Sequence, residues 1–482
     1  MTLFLTSIAV LVGGYVLYGI VVERIFKIEP ERTTPAYSKR DDVDYMPMST
    51  WKVFLIQFLN IAGLGPIFGA IMGIMFGPAA FLWIVLGTIF AGAVHDFVSG
   101  MMSLRSGGKS LPEIVGHELG TGVRQLMRVF SILLLVLVGA VFVINPADIL
   151  AEMTPDYMDR VMWIGLIFIY YMLATLLPID KLIGNFYPVF GFTLLFMAVG
   201  LLAVLLFGDV TIPDGITDGL QTRHKDGVPV FPMMFVSIAC GALSGFHATQ
   251  SPMMARCLKN EKLGRPIFYG AMVAEGLVAL IWAAAAIAFT GSYENLNNAI
   301  PAGGTPAPLV KDISVTWLGS FGGILAIIGV VAAPITTGDT ALRSARLIAA
   351  DFLNFDQRKF WKRFLLSLPI FALAFAVMLI DFKVLWRYFA WSNQTLAVFT
   401  LWGCTVYLAR KHRAYIITLL PAMFMTSVSV SYLLYAPRPE GLGLDLSVAL
   451  AAGVSAALAV TAIVLMYIRR LKTGRLKREF EY

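Results

Sequence analysis

Five ionisable side chains stand inside long apolar stretches of the sequence, where a charge is expensive and marks a candidate functional group. They are His95 and Asp96 in AGAVHDFVSG, His247 in SGFHATQSP, Glu275 in AMVAEGLVAL and Asp339 in ITTGDTALRSAR. Glu275 has no basic neighbour in sequence and suits a carboxylate that takes up and releases a coupling proton. His247 has an imidazole that titrates near neutral pH or binds a substrate carboxylate; the plainer reading is a hydrogen-bonded packing histidine. Asp339 is a proton carrier or cation ligand with the Thr336 and Thr337 hydroxyls beside it, or an interfacial acid paired with Arg343 four residues on. His95 and Asp96, near the end of their apolar stretch, read as a gate together with Arg343, or as an interfacial pair.

These groups need a scaffold, and composition limits the choice. Of 482 residues, 58% are hydrophobic and 14% charged, with a mean hydropathy of +0.77, which excludes an ordinary soluble enzyme and defines an all-α polytopic membrane protein. Thirteen apolar segments are long enough to span a bilayer: Leu3–Val22, Val53–Phe76, Ala79–Met102, Leu126–Ile144, Val161–Leu177, Ile183–Phe207, Pro232–Cys257, Pro266–Phe289, Val315–Thr337, Phe364–Ile380, Val384–Leu408, Tyr415–Tyr435 and Leu446–Ile468. The first lacks a basic leader and a small-residue cleavage site, so it is expected to be a retained span. With the amino terminus outside, 30 of the 37 Lys and Arg residues lie in or beside the cytoplasmic loops. Basic residues resist translocation, so this places the carboxyl terminus inside. The same scatter argues against nucleic acid as a partner.

Two spans are interrupted. The second carries AGLGP at Ala62–Pro66, and the seventh carries GALSGFHATQSP at Gly241–Pro252. They lie five spans apart, and an odd interval inverts the second unit relative to the first. A helix break inside a bilayer is tolerated only where it faces protein or a cavity, and paired breaks in two inverted units mark the central site of a transporter. Pro66 and Pro252 are expected at the first position of the second half-helices, with Gly65 and Ser251 as caps, so that two positive helix ends meet an anionic group. The organisation that follows is an extra span and linker (1–50), one repeat (51–207), an external linker (208–231), an inverted repeat (232–409), and two further spans with a basic tail (410–482).

Other motifs fail. GGKS at Gly107–Ser110 lacks the upstream glycine of a phosphate loop, and GHELG at Gly116–Gly120 lacks the second histidine of a zinc protease. Cys240, Cys257 and Cys404 have no ligand spacing and read as small core residues; neither a metal nor another cofactor is expected.

The segments IAGLGPIFGA, AGAVHDFVSGMMSLRSGGKSLPEIVGHELG, IACGALSGFHATQSP, TGDTALRSAR and SNQTLA, in that order from about Trp51 to Leu408, resemble the carbon starvation protein CstA family. The resemblance implies a LeuT-like 5+5 inverted repeat with discontinuous helices, here with one extra amino-terminal and two extra carboxyl-terminal helices. It also implies inner-membrane import of peptides or pyruvate with protons, linked to carbon starvation. It places Gly63, Gly65, Pro66, Ser244, Gly245, Phe246 and His247 at the breaks, Asp339, Arg343 and Arg346 in a D-x-x-x-R-x-x-R pattern, and Asn393 with Gln394 in an Asn-Gln motif. His95 stands where the family has glutamine before Asp96.

The expected function is therefore a proton-coupled secondary transporter of a small carboxylate, pyruvate favoured, or of small peptides. Gln250 and Ser251 join the substrate-binding set, and Na+ is the alternative coupling ion at Thr336, Thr337 and first-break carbonyls. A transporter-like nutrient sensor is the alternative from another class, and an enzyme is not expected.

Overall fold

With no water in a bilayer core, backbone polar groups must be satisfied within the chain, and a sequence this apolar meets that demand as helices. The computed structural model describes residues 1–176, 179–213, 219–300, 305–357, 359–379 and 382–473, and the secondary structure among them is helical throughout. The basic tail beyond residue 473 and the ends of two predicted spans, Leu177 and Ile380, lie outside the described residues.

Helix α1 (Thr2–Phe26) packs on the rim and exposes Leu5, Val10 and Leu17, as a lipid-facing helix does. The first interrupted span is α2 (Thr50–Ile61) and α3 (Gly65–Ile74), bent by 53°. Then follow α4 (Ala79–Arg105), α5 (Leu111–Leu119), α6 (Thr121–Met153), α7 (Arg160–Leu176) and α8 (Ile179–Phe207). The second interrupted span is α9 (Phe235–Ser237, entered through a π-helical turn Val230–Met234) and α10 (Gly245–Ala255). It leads to α11 (Gly270–Thr290), α12 (Ala307–Ile327) and α13 (Ala333–Leu353). The last four are α14 (Phe360–Val377), α15 (Phe382–Arg410), α16 (Ile416–Tyr435) and α17 (Leu446–Lys472). Helix α17 packs on α16 and α16 on α15, so the final pair is added at one side of the bundle.

The thirteen predicted segments fall on helix among the described residues, end residues aside, except at the breaks, 62–64 and 238–244. Among the described residues eight helices are long and apolar enough to cross a membrane unaided, and α2 with α3 makes a ninth as a bent pair. The other four are interrupted (α9 with α10, and α12 with α13, where Gly319 at φ 65° kinks α12), short (α7) or polar (α15, with its Ser-Asn-Gln-Thr run).

Three expectations are corrected. Helix α10 begins at Gly245 after Ser244 in extended conformation, so Ser251 is not its cap and Pro252 lies inside it. The break is set earlier, by Ile238 (ψ 51) and by Gly241, whose φ of +95° is a left-handed conformation that suits glycine. At the first break Leu64 is the cap, Gly65 the first residue and Pro66 the second. Asp339 does not form the expected pair with Arg343: it is fully buried in α13, which runs on to Leu353, where Asn354 (φ 50°) ends it, and Arg343 reaches Asp44 instead.

Candidate functional site

The two breaks pack against each other. A Cβ placed on Gly65 would lie 2.1 Å from the Cys240 Cβ, so the breaks approach this closely only because Gly65 has no side chain; one placed on Gly241 would lie in ordinary contact with Pro66 (3.5 Å) and tightly against Ala279 (2.7 Å). The first break is tied to α13 by Thr337, whose hydroxyl is shared between the carbonyls of Leu59 (3.1 Å) and Ala333 (2.9 Å) and would crowd a Cβ at Gly63 at 3.0 Å. The Thr336 hydroxyl also donates to Ala333 O, at 2.8 Å.

The second break is held by α15. Asn393 Oδ1 accepts from the Phe246 amide (2.7 Å) and the Ser244 hydroxyl (3.0 Å), and Gln394 Nε2 donates to Leu243 O (3.2 Å). Gly245 lets α15 come close, since a Cβ there would meet Ala397 N at 2.3 Å. Asn393 and Gln394 thus satisfy backbone that the break leaves open, and the positive end of α10 is already occupied by a protein oxygen. Gln250 and Ser251 join neighbouring helices: Ser344 Oγ donates to Gln250 Oε1 (3.3 Å) and Gln57 Nε2 to Ser251 Oγ (3.4 Å).

Beside the second break runs a fully buried chain of ionisable groups. His95 Nδ1 is 2.7 Å from Asp96 Oδ1, Asp96 Oδ2 is 2.9 Å from His247 Nδ1, and His247 Nε2 is 3.4 Å from Glu275 Oε2. An ionised Asp96 can only accept, which assigns the protons to the two Nδ1 atoms and leaves each Nε2 as the atom that titrates or ligates. Asp96 is therefore joined to His247 inside the bundle, while Arg343 lies elsewhere, at Asp44; the structure does not assemble the expected His95–Asp96–Arg343 gate. Asp339 belongs to a separate cluster: its Oδ2 accepts from the Tyr187 hydroxyl, which also reaches Thr336 O at 3.2 Å, and its Oδ1 has no hydrogen-bond partner among the described residues.

A cavity of about 760 Å³ leads to the breaks. Its floor includes Gly65 and Cys240, its walls Phe68, Met72, Met233 and Phe389, and its rim His224, Lys225 and Pro437. Near the rim Arg387 and Glu440 pair at 2.5 Å. Of the predicted substrate residues Gly65 lines this space directly; the others named above stand behind it.

The opposite end, where α2 begins, is closed. Asp44 lies 3.4 Å from Arg343 Nη1 and 3.5 Å from Arg346 Nη2, all three buried. Burial alone would raise the Asp44 carboxyl; Arg346, Arg343 and Arg256 outweigh it and hold the carboxyl below its ordinary value. The Met48 amide donates to Cys257 O (3.2 Å) and Arg256 Nε to Gly108 O (2.8 Å), which completes the closure.

Asp44, Tyr187 and Cys240 escaped the sequence reading. Asp44 is one of three acids in DDVD and nothing local separates it, whereas Cys240, directly before the break glycine, carried a usable signal.

Two interrupted helices meeting at the floor of a cavity closed at its far end are the arrangement of a LeuT-like fold. The structure of MhsT in complex with L-phenylalanine superposes with a TM-score of 0.54 at 15% identity, covering 87% of this chain and 99% of that one, which shows the fold alone. The chain belongs to the carbon starvation protein CstA family, whose model matches residues 1–158 and 147–319. It is 45% identical to an uncharacterized membrane protein of Haemophilus influenzae over 62% of this chain and 94% of that one. It is 28% identical to the peptide transporter CstA of Campylobacter jejuni (65% of this chain, 54% of the relative) and to the pyruvate/proton symporter BtsT of Escherichia coli (62% and 50%). The chain thus spans about half the length of these two named relatives.

Proposed function

We propose that the protein is a secondary transporter that imports a small carboxylate, pyruvate in preference, or short peptides, by proton-coupled alternating access. The observation that carries this reading is the pair of touching breaks at the floor of a cavity open at one end and closed at the other by Asp44 with Arg343 and Arg346. The charge distribution orients the open end outward and the amino terminus outside. The names of two relatives, a peptide transporter and a pyruvate/proton symporter, support the substrate class.

The anionic group docks at the start of α3, where Gly65 lines the cavity and no side chain caps the helix, and His247 lies behind the facing break. The lining beside Gly65 and Cys240 is apolar (Phe68, Met72, Met233), which suits a compact carboxylate there, while Lys225, Asp226, Arg387 and Glu440 in the same cavity offer the second polar anchor that a short peptide needs. The coupling proton is carried by Asp339, with Glu275 as the second carrier and Na+ as the alternative ion. Uptake of labelled pyruvate and of a dipeptide into proteoliposomes, under a pH gradient or a Na+ gradient applied separately, tests the reading. Pyruvate uptake driven by the pH gradient is expected; uptake of neither substrate under either gradient overturns it.

A further inference from the structure

We propose that Cys240, His247 and Glu275 form a binding site for a borderline divalent transition-metal ion such as Zn²⁺ or Co²⁺, with Asp96 orienting His247. The Cys240 Sγ, an imidazole nitrogen of His247 and a Glu275 carboxylate oxygen lie within 4.8 Å of one another, contributed by the break itself, by α10 and by α11. Two of the three ligand side chains are fully buried and Cys240 is 5% exposed.

Three ligand atoms lack what buried polar atoms ordinarily have. Neither oxygen of Glu275 nor His247 Nε2 has a hydrogen bond of full geometry among the described residues: the Gly241 amide acts on Glu275 and the Cys240 thiol on His247 only weakly, and His247 Nε2 lies 3.4 Å from Glu275. A buried carboxylate left in that state is costly, and one cation between them satisfies all three atoms at once. Asp96 supplies the outer support of a metal-bound histidine. It holds Nδ1 at 2.9 Å and so turns Nε2 towards Glu275, the carboxylate–histidine–metal arrangement.

The donor set selects the ion. A thiolate and an imidazole with one carboxylate suit zinc-like ions, whereas Mg²⁺ and Ca²⁺ take oxygen ligands. Three protein ligands leave one position of a tetrahedral site for an outside molecule, and Cys240 borders the cavity, which gives the ion a path in.

The site is tested without transport, by titrating the purified, metal-stripped full chain in detergent with Co²⁺ and following thiolate-to-cobalt charge-transfer absorption. One Co²⁺ per chain is expected, displaced by Zn²⁺ and not by excess Mg²⁺. Cys240→Ser should remove the absorption, Asp96→Asn should weaken binding about 10–100-fold, and Cys257→Ser should change neither. Glu275→Gln, which keeps side-chain shape, must also weaken binding, and it decides the matter if Cys240→Ser does not elute as a folded species. Absence of saturable binding, absorption that survives Cys240→Ser in folded protein, or unchanged affinity in Glu275→Gln overturns the site.

Discussion

Asn393 caps Phe246: the side-chain carbonyl of one accepts the backbone amide of the other at 2.7 Å, across 147 residues of sequence. A half-helix that begins in the middle of the bundle is thereby closed by a neighbouring helix. Replacing Asn393 by Ala strands that buried amide and should lower stability by about 1–3 kcal/mol. Thermal unfolding in detergent reads the loss, and Asn393→Asp, which keeps an acceptor, should recover part of it. An unchanged melting temperature for the alanine variant would remove the capping role.

Contact between the breaks predicts a size limit at Gly65. Gly65→Ala drives a methyl into the Cys240 side chain, where 2.1 Å separates the carbon positions. Uptake should fall to background and return, at least in part, when Cys240→Gly is added. Failure of the second change to rescue would mean that alanine acts through something other than this contact.

Asp339→Asn should abolish gradient-driven uptake while leaving exchange of labelled for unlabelled substrate measurable, because only the proton-carrying step is removed. Tyr187→Phe, which deletes the hydroxyl bonded to Asp339, should alter the same step more mildly. Gradient-driven uptake that persists in Asp339→Asn would move the carrier to Glu275.

At the closed end, Asp44→Asn leaves the Arg343 and Arg346 guanidiniums buried without their shared carboxylate. Breaking a buried pair costs about 3–5 kcal/mol, so the closed end should open more often. Labelling of a cysteine introduced at Ser344 from that side should speed up, and unchanged labelling would exclude Asp44 as the closing group.

The same carboxyl fixes the pH dependence of the closure. Its folded value is lowered, so its contribution is present above the ordinary carboxylate range and is lost as pH falls through the lowered value. Ser344→Cys labelling, divided by that of an exposed reference thiol to remove the thiolate's own pH dependence, should therefore be flat between about pH 5 and 8 and rise only in stronger acid. A rise centred near neutral pH would point to a histidine instead.

Much of the site was legible because membrane helices penalise certain residues. Gly63, Gly65 and Gly241 announced both breaks, and His247, Glu275, Asp96 and Asp339 stood out as charges in apolar runs. What failed was everything decided at long range. Pro252 looked like a helix start, yet the start is at Gly245 because its cap comes from Asn393. The predicted ninth span stopped at Thr337, just before Asp339, because the polar TTGD run looked like its end; packing of α13 against α6 carries the helix onward. Asp96 gave no hint of its partner, which lies 151 residues away.

The closing group at the far end converges on one carboxylate: Asp44 faces Arg343 and Arg346, with Arg256, itself 3.9 Å from Asp351, acting on the same carboxyl. Arg343 and Arg346 both reach the same carboxylate, so the closure has a single point of failure: one protonation or one substitution at Asp44 loosens both contacts at once.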